Sequence, residues 1–574
     1  MEHLRKYEEW ISNPYFDEET KKELEGIRDN PREIEERFYK DLEFGTGGLR
    51  GIIGAGTNRI NKYNVRKATQ GFANYILNTV KNPKERGVVI AFDSRHKSPE
   101  FAMEAAKVLA GNGMKAYVFE SLRSTPELSF AVRSLEAAGG IVVTASHNPP
   151  EYNGYKVYGE DGGQLVPQYA NMVIDEIRKI EDYSSVQYLE EKDAEAKGLI
   201  SIIGEEIDNK YIETVKSLSL RSDVIEGMED FKIVYTPLHG TGAMPVKRVL
   251  TEIGFKHFFP VKEQEVPDSN FSTVESPNPE ESKAFDMSIN LAEEVGADII
   301  IGTDPDCDRV GAVVKNREGK YQVLTGNQTG ALLVDYILSS MGNIPKNSFV
   351  IKTIVTSELG SRIAKSYGVE TINTLTGFKF IGEKIKEFEE AGDKNFIIGY
   401  EESYGYLVGT DVRDKDAVVS SLLIAEMAAY YKSKNMTLLD GLEDLYKKHG
   451  YYKEVLKSIV LKGKEGLEKI GRIMESLRNN SPLKISDIKV DIVRDYLNGR
   501  AKMVSASMEK ELDLPKSNVL HFTLEDGSWF AVRPSGTEPK IKIYFSILGE
   551  DNEEASNKLD VIKSEILEMI DEIE

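Results

Sequence analysis

Asp304, Asp306 and Asp308 stand at alternate positions in the run Asp304-Pro305-Asp306-Cys307-Asp308-Arg309. On an extended segment, alternate side chains share one side. Three carboxylates on one side repel one another unless a cation lies among them, and an all-oxygen set of this kind suits Mg²⁺. A calcium EF-hand does not fit. Counted from Asp304, the position that needs glycine is Arg309 and the position that needs glutamate is Lys315. Zinc would want sulfur or nitrogen, and Cys307 is the only cysteine in the chain. The plain alternative is a solvated acidic turn, which the repulsion disfavours.

An apolar strand leading into Asp-x-Asp also resembles the haloacid-dehalogenase-type phosphatases, in which the first Asp is the nucleophile. A second candidate for carrying a phosphoryl group stands against that reading. Ser146, in Thr144-Ala145-Ser146-His147-Asn148-Pro149, directly follows the apolar run 141–143. Asn-Pro holds the backbone extended or turned and presents the preceding serine outward. A serine hydroxyl activated by a base or a cation is a nucleophile or a phosphoryl acceptor. The G-x-S-x-G elbow of hydrolases is absent. An ordinary Asn-Pro turn with an incidental serine fits the same residues. Lys156, in Asn153-Gly154-Tyr155-Lys156, is either an acid/base group near Ser146 or a surface lysine.

Three further stretches are polar in a patterned way. Arg533-Pro534-Ser535-Gly536-Thr537-Glu538-Pro539-Lys540 offers a bidentate guanidinium, two hydroxyls and a glycine that admits close backbone approach, the parts of a phosphate cradle. Gly399-Tyr400-Glu401-Glu402-Ser403-Tyr404-Gly405 joins carboxylates, a hydroxyl and aromatics, a set that suits sugar hydroxyls, although paired glutamates in a loop are usually just solvated. The glycine-rich stretch 44–56 is neither a P-loop nor a dinucleotide fingerprint, because no Gly-Lys-Ser/Thr follows and the third glycine position is Arg50. It either brings Arg50 to an anion or is simply a loop.

The elements that must position these loops alternate. In a first passage, runs at 87–92, 115–119 and 140–143 read as strands. Helices lie between them at 98–111, with Ser98-Pro99 as its cap, and at 126–135. A second passage has strand 232–235, helices near 245–253 and 281–295, and an apolar run into the aspartates. A third has strand 349–354, helix 358–367, a helix after Thr376-Gly377-Phe378-Lys379-Phe380, and a strand into Tyr400-Glu401. This alternation predicts parallel sheets with sites outside the carboxyl ends of strands. The expectation is three similar α/β domains with mixed, mostly parallel sheets and a C-terminal α+β domain around a central cleft. The boundaries are 1–207 (a helical extension plus the Ser146 domain), 208–324, 325–450 and 451–574. Asn30-Pro31 with Glu33 marks a helix start in the extension.

Length, 574 residues, suits several domains. The net charge of −22 offers no basic footprint for nucleic acid. Any anion site must be locally basic against that background. A lone cysteine excludes an internal disulfide and fits a reducing compartment. The first residues lack an apolar signal core. The run 417–431 is too short for a membrane span and holds Glu426. A cytoplasmic, soluble protein is expected, with no nucleic-acid or membrane partner. Its oligomeric state is not legible.

Taken in order, the Ser146 loop, the Asp304–Arg309 loop, the Glu401–Ser403 loop and the Arg533 loop resemble those of the α-D-phosphohexomutase superfamily, the phosphoglucomutases and phosphomannomutases. The likeness runs from about Phe44 to the C-terminus. FGTGGLRG, TGFKFIG and YEESYGYLVGTDVRDKDA are most similar to the bacterial phosphoglucomutase branch, which also resembles phosphopentomutases and glucose 1,6-bisphosphate synthases.

The resemblance implies a phosphoserine at Ser146 and Mg²⁺ held by Asp304, Asp306, Asp308 and a phosphoserine oxygen. It places Arg50, Lys156 and Arg309 around the reacting phosphoryl group, with His147 beside them. It gives sugar contacts to Glu401 and Ser403, and a loop that selects sugar entry to Lys379. Arg533, Ser535, Gly536 and Thr537 would hold the phosphate that is not transferred. The implied partners are small sugar phosphates, with glucose 1,6-bisphosphate as intermediate and activator. The sugar loop departs from the Gly-Glu-x-Ser-Gly-His pattern of many relatives: Tyr400 precedes Glu401, and Tyr404-Gly405-Tyr406 replaces its end. The resemblance implies an isomerase that interconverts glucose 1-phosphate and glucose 6-phosphate, with mannose and pentose phosphates as alternatives on the same scaffold and an Asp-x-Asp phosphatase or a non-enzymatic sugar-phosphate binder as more distant ones.

Overall fold

The structure is a computed structural model that describes residues 2–45, 48–461, 463–535 and 540–573. The chain forms two compact units. One is Met1–Gly326 with Phe378–Thr437, and the other is Asn327–Gly377 with Leu438–Glu574.

The first unit starts with helices Glu2–Ser12, Glu18–Glu25 and Pro31–Phe38. The Asn30 side chain accepts the Glu33 N–H, with Pro31 in the first turn, as the residues predict. These helices bury Trp10, stacked on Phe16 with ring centroids 4.2 Å apart, among Tyr7, Phe38 and Tyr63.

A six-stranded sheet follows, with β1 (Leu49–Ile52), β2 (Val88–Phe92), β3 (Ala116–Phe119), β4 (Gly139–Val143), β5 (Tyr152–Tyr158) and β6 (Ile200–Ile203) in the order β1-β5-β4-β2-β3-β6. Strands β4, β2, β3 and β6 run parallel, while β5 and β1 are antiparallel additions. β2 and β4 are buried along their whole length, as expected of strands covered on both faces. The next sheet repeats the plan. β7 (Lys232–Thr236), β8 (His257–Pro260) and β9 (Ile299–Thr303) are parallel, and β10 (Val310–Lys315) and β11 (Tyr321–Val323) are antiparallel additions beside β9.

A third α/β segment is shared between the units. In the second unit, β12 (Ser348–Thr353) pairs in parallel with β13 (Glu370–Thr374). In the first, β14 (Asn395–Glu401) turns back as antiparallel β15 (Gly405–Val408). Helix Ala417–Ser433 follows; almost every residue of it is buried, which accounts for its continuous apolar run. Among the described residues no helix is long and apolar enough to cross a membrane.

The rest of the second unit is α+β. Its strands are β16 (Tyr451–Val460), β17 (Lys484–Ile485), β18 (Ile488–Asp495), β19 (Arg500–Met503), β20 (Met508–Glu511), β21 (Leu520–Leu524), β22 (Trp529–Pro534) and β23 (Lys540–Gly549). The order is β16-β23-β22-β21-β18-β19-β20, with β17 beside β18, and all of these pairs are antiparallel. One face, with Phe522, Phe530, Ile543 and Phe545, packs under helices Gly463–Asn479 and Asn552–Asp571. The chain is thus three α/β domains and a C-terminal α+β domain.

Two local expectations need correction. Ser98 does not cap the helix Ser98–Gly111. The cap is Lys97 in the left-handed region, and the Ser98 hydroxyl instead donates to Asp93 at 2.8 Å. Lys379 does not lie in a loop but in the first turn of helix Phe378–Ala391. The buried Phe378, Phe380, Ile381 and Ile385 give that segment an inward face.

Candidate active site

Three loops occupy one topological place. Each joins a strand to an antiparallel neighbour: β4 to β5, β9 to β10, and β14 to β15. Each also holds a non-glycine residue in the left-handed region: Ser146 at φ 50°, Cys307 at 54° and Tyr404 at 63°. Such conformations are uncommon for residues with a side chain, and they cluster at functional sites.

Ser146 is 4 % exposed. Its N–H donates to the Thr144 hydroxyl at 2.8 Å, a local turn that fixes the loop. Its own hydroxyl donates to Asp304 Oδ2 at 2.6 Å, and His147 Nδ1 lies 3.2 Å away. Gly154, on β5, must be glycine because a Cβ there would meet the Thr144 carbonyl oxygen at 2.3 Å. β5 and the Ser146 loop are in backbone contact at this point. Arg50 pairs with Gly154 across β1–β5, so it shares a face with Lys156 two residues further on, and it donates to Asn148 Oδ1 at 3.0 Å.

The three aspartates are buried, with one oxygen of each within 4.8 Å of the others. Asp304 Oδ1 accepts the N–H groups of Asp308 (3.0 Å) and Arg309 (2.9 Å). Asp306 Oδ2 accepts the Thr125 hydroxyl at 3.0 Å and pairs with Lys156 Nζ at 2.9 Å. Asp308 Oδ2 pairs with Lys415 Nζ at 3.0 Å. Asp306 Oδ1 and Asp308 Oδ1 are buried and accept no hydrogen bond. Orphaned carboxylate oxygens are rare in protein interiors, and these two point to a cation as their partner. The donor set is all oxygen, so the residues fit a hard divalent cation such as Mg²⁺.

The charges explain the proton affinities. Burial pushes Asp304 well up, helped by Asp306 and Asp308. Burial and Asp306 push Asp308 up against the pull of Lys415 and Lys156. At Asp306 burial is outweighed, first by Lys156, and the carboxyl lies well below its usual range. Burial, with Arg309 and Arg50 nearby, drives His147 well down, so its ring is neutral at pH 7. Arg309 forms an ion pair with Glu280.

The structure therefore gathers Arg50, Ser146, His147, Lys156, the three aspartates and Arg309. Glu401 ends β14, is buried, and acts electrostatically on both Arg309 and Lys415. Ser403 follows it in the turn before β15, partly exposed. Lys379 instead lines a cavity of about 380 Å³ with Tyr158, Asp161 and Glu383, whose walls include none of the three aspartates. In the second unit Arg533 lies near the end of β22, directly across from Lys542 of β23, and the Ser535 N–H donates to the Lys540 carbonyl at 2.8 Å. Gly536 and Thr537 lie outside the described residues.

Sequence reasoning missed Lys415 and Thr125. Lys415 is held by Asp308 and by Asp414 at 3.2 Å, so its ammonium balances the aspartate loop from a third segment. Burial works against that charge, but Asp308 and Asp414 prevail, and Lys415 stays protonated. Nothing local in Asp414-Lys415-Asp416 announces this role. Thr125, at the start of helix Thr125–Ser134, also donates its N–H to the Asp306 carbonyl at 2.9 Å.

A serine facing three buried aspartates, on a chain of three α/β domains and a C-terminal α+β domain, defines the class of protein. Residues 41–184, 209–319 and 325–449 match the phosphoglucomutase/phosphomannomutase alpha/beta/alpha domains I, II and III, and residues 486–556 match the C-terminal domain of the same family. A phosphoglucomutase of Staphylococcus epidermidis is 40 % identical over 515 residues, 90 % of this chain and 92 % of its own. The chain belongs to the phosphoglucomutase/phosphomannomutase family. Among solved structures, a putative phosphomannomutase from Thermus thermophilus shares the fold at TM-score 0.68 and 22 % identity, over 93 % of this chain and 99 % of that one. An Aspergillus fumigatus N-acetylphosphoglucosamine mutase, solved in complex with GlcNAc-6P and magnesium, aligns at TM-score 0.50 and 13 % identity over 93 % of this chain and 97 % of that one.

Proposed function

We propose that the protein interconverts glucose 1-phosphate and glucose 6-phosphate through a phosphorylated Ser146 and a glucose 1,6-bisphosphate intermediate. The observation that carries this reading is the Ser146 hydroxyl, 2.6 Å from Asp304 at the head of a triple-aspartate loop. It is supported by the identity to a phosphoglucomutase along nearly the whole chain. The phosphatase reading needs a free nucleophilic Asp304, yet both oxygens of Asp304 already accept hydrogen bonds.

PhosphoSer146 gives its phosphoryl group to the 6-hydroxyl of glucose 1-phosphate. The bisphosphate turns over. Ser146 then takes the phosphoryl group from C1 and leaves glucose 6-phosphate. Asp304, Asp306, Asp308 and a Ser146 oxygen would hold Mg²⁺, as the A. fumigatus mutase was solved with magnesium. When bound, that ion neutralises charge on the transferring oxygens. Arg50 and Arg309 act on the same oxygens. Lys156 and the neutral His147 are the groups that can carry the proton an attacking hydroxyl gives up. Lys415 favours the ionised form of Asp308 and holds it in place. Glu401 and Ser403 bind sugar hydroxyls, and Lys379 helps to select how the sugar enters. Arg533, Ser535, Gly536 and Thr537 hold the phosphate that stays, in either sugar orientation. A cytoplasmic location accords with the single free cysteine.

The test has two arms. Intact mass should show a substoichiometric species about 80 Da heavier, one phosphoryl group, mapping to Ser146. With glucose 1,6-bisphosphate added, kcat/KM should be higher for glucose 1-phosphate than for mannose 1-phosphate or ribose 1-phosphate. Absence of phosphate on Ser146 overturns the mechanism. A higher value for either competitor overturns the sugar assignment alone.

A further inference from the structure

The Ser146 loop is gripped from behind by a residue outside the site described above. Arg95, 1 % exposed, follows β2 and sends its guanidinium under the loop. It donates to the carbonyls of Ser146 (2.6 Å), Asn148, Pro149 (2.8 Å) and Tyr152 (3.0 Å). Three carbonyls of the loop and one from the start of β5 thus converge on one planar fork, a geometry that a lysine cannot copy. Asp93, 3.4 Å from the guanidinium, also holds the Arg95 N–H and the Ser98 hydroxyl.

The other side of Arg95 is closed by the second domain. Phe271, 1 % exposed, presents its ring to the guanidinium with 4.9 Å to the ring centre. Phe271 sits at φ 50°, a region that a bulky residue enters only when its surroundings impose it. The surroundings here are a strap, residues 268–274. Asp268 accepts the N–H groups of Asn270 (2.9 Å) and Ser272 (2.8 Å). The Thr273 hydroxyl is tied to His239 Nε2 at 2.7 Å, just beyond β7, and to Gln264 Nε2 at 3.0 Å, just beyond β8. The strap also reaches the Arg95 turn directly, through Ser269 to the Ser94 carbonyl (2.7 Å) and Asn270 to His96 (2.8 Å). The second domain therefore meets the Ser146 loop twice: in front through Asp304 and behind through Phe271 and Arg95.

We propose that Arg95 and Phe271 are positioning residues, and that the 268–274 strap clamps the Ser146 loop so that its hydroxyl is registered against the aspartate loop. In its catalytic part this rests on the mutase reading; in its structural part it does not. The test uses the full chain as Phe271→Ala, Phe271→Leu and Arg95→Lys variants. Hydrogen exchange of the 144–152 segment is followed by mass spectrometry, together with kcat, KM for glucose 1-phosphate and the melting temperature.

Phe271→Ala should speed exchange in 144–152 while strands β2 and β9 stay protected. It should lower kcat roughly 10- to 100-fold, the scale of a small misplacement of a reacting group, with KM within about twofold of the parent. Phe271→Leu, which keeps bulk under the guanidinium, should recover most of the loss, and Arg95→Lys should not. Unchanged exchange in 144–152, or a kcat loss that only follows a general loss of protection, overturns the proposal. If Phe271→Ala does not fold, Ser269→Ala with Asn270→Ala must show the same pattern more weakly, and no effect there also overturns it. A parent without mutase turnover would sink the functional reading, and the exchange arm would still decide the clamp.

Discussion

The aspartate–serine constellation of the first unit and the Arg533 turn of the second both meet phosphate in the function proposed above, yet they are made differently. In the first, Ser146 and the three aspartates are almost wholly buried, and Lys156, Lys415 and the aspartate loop's own Arg309 balance the acids. In the second, Arg533 and Ser535 are partly exposed on a strand end, with Lys542 alongside. Chemistry on a phosphoryl group needs fixed dipoles in a dry site, where they cost no reorganisation. A phosphate that must enter, stay and leave needs cations that water can still reach, whose contacts are of moderate strength. The first region should therefore control kcat and the second the use of substrate at low concentration.

The sharpest way to break this contrast is Ser146→Ala. Turnover should fall below detection, because the shuttle itself is gone. Activity within about tenfold of the parent would end the phosphoserine assignment.

Asp306→Asn comes next. It removes one ionised partner from Lys156 and one of the three carboxylate charges from the proposed cation set. We expect a loss in kcat of roughly 100-fold or more, with a higher Mg²⁺ requirement, and the parent should be silenced by EDTA. Full activity of the parent in EDTA would show that the aspartates hold no needed metal.

Arg533→Ala should leave Ser146 phosphorylation intact by mass while lowering kcat/KM for glucose 1-phosphate and glucose 6-phosphate alike. A charge-assisted contact is worth about 1.5–3 kcal/mol, roughly 10- to 100-fold. A loss confined to one substrate would mean that Arg533 does not serve both orientations.

The smallest effect belongs to Lys542→Ala. Lys542 faces Arg533 across the strand pair and is partly exposed. A solvated cation beside an anion site should contribute no more than about 1 kcal/mol, a few-fold in KM that fades as salt rises. A large fall in kcat there would erase the distinction between the two regions.

Much of this molecule is legible residue by residue, because the signals are local. The alternating apolar runs fix the α/β domains, since a strand buried on both faces reads as a continuous apolar stretch. Ser146 and the aspartates stand out because each motif is complete within six residues. Where one local signal competes with a distant partner, the local reading fails. Ser98 reads as a helix cap until Asp93 takes its hydroxyl. Lys379 reads as a loop residue until Phe378, Phe380 and Ile381 draw that segment into a helix.

By itself, then, the chain determined which loops carry oxygen, hydroxyl and guanidinium groups, and that they sit at strand ends. Only tertiary structure decided which charges balance which. Lys415 is 107 residues from Asp308, by subtraction of their numbers, and Phe271 reaches an Arg95 that lies 176 positions earlier. A buried charge costs several kcal/mol unless an opposite one is within a few ångströms. That distance is set by how the domains pack, and no spacing along the sequence encodes it.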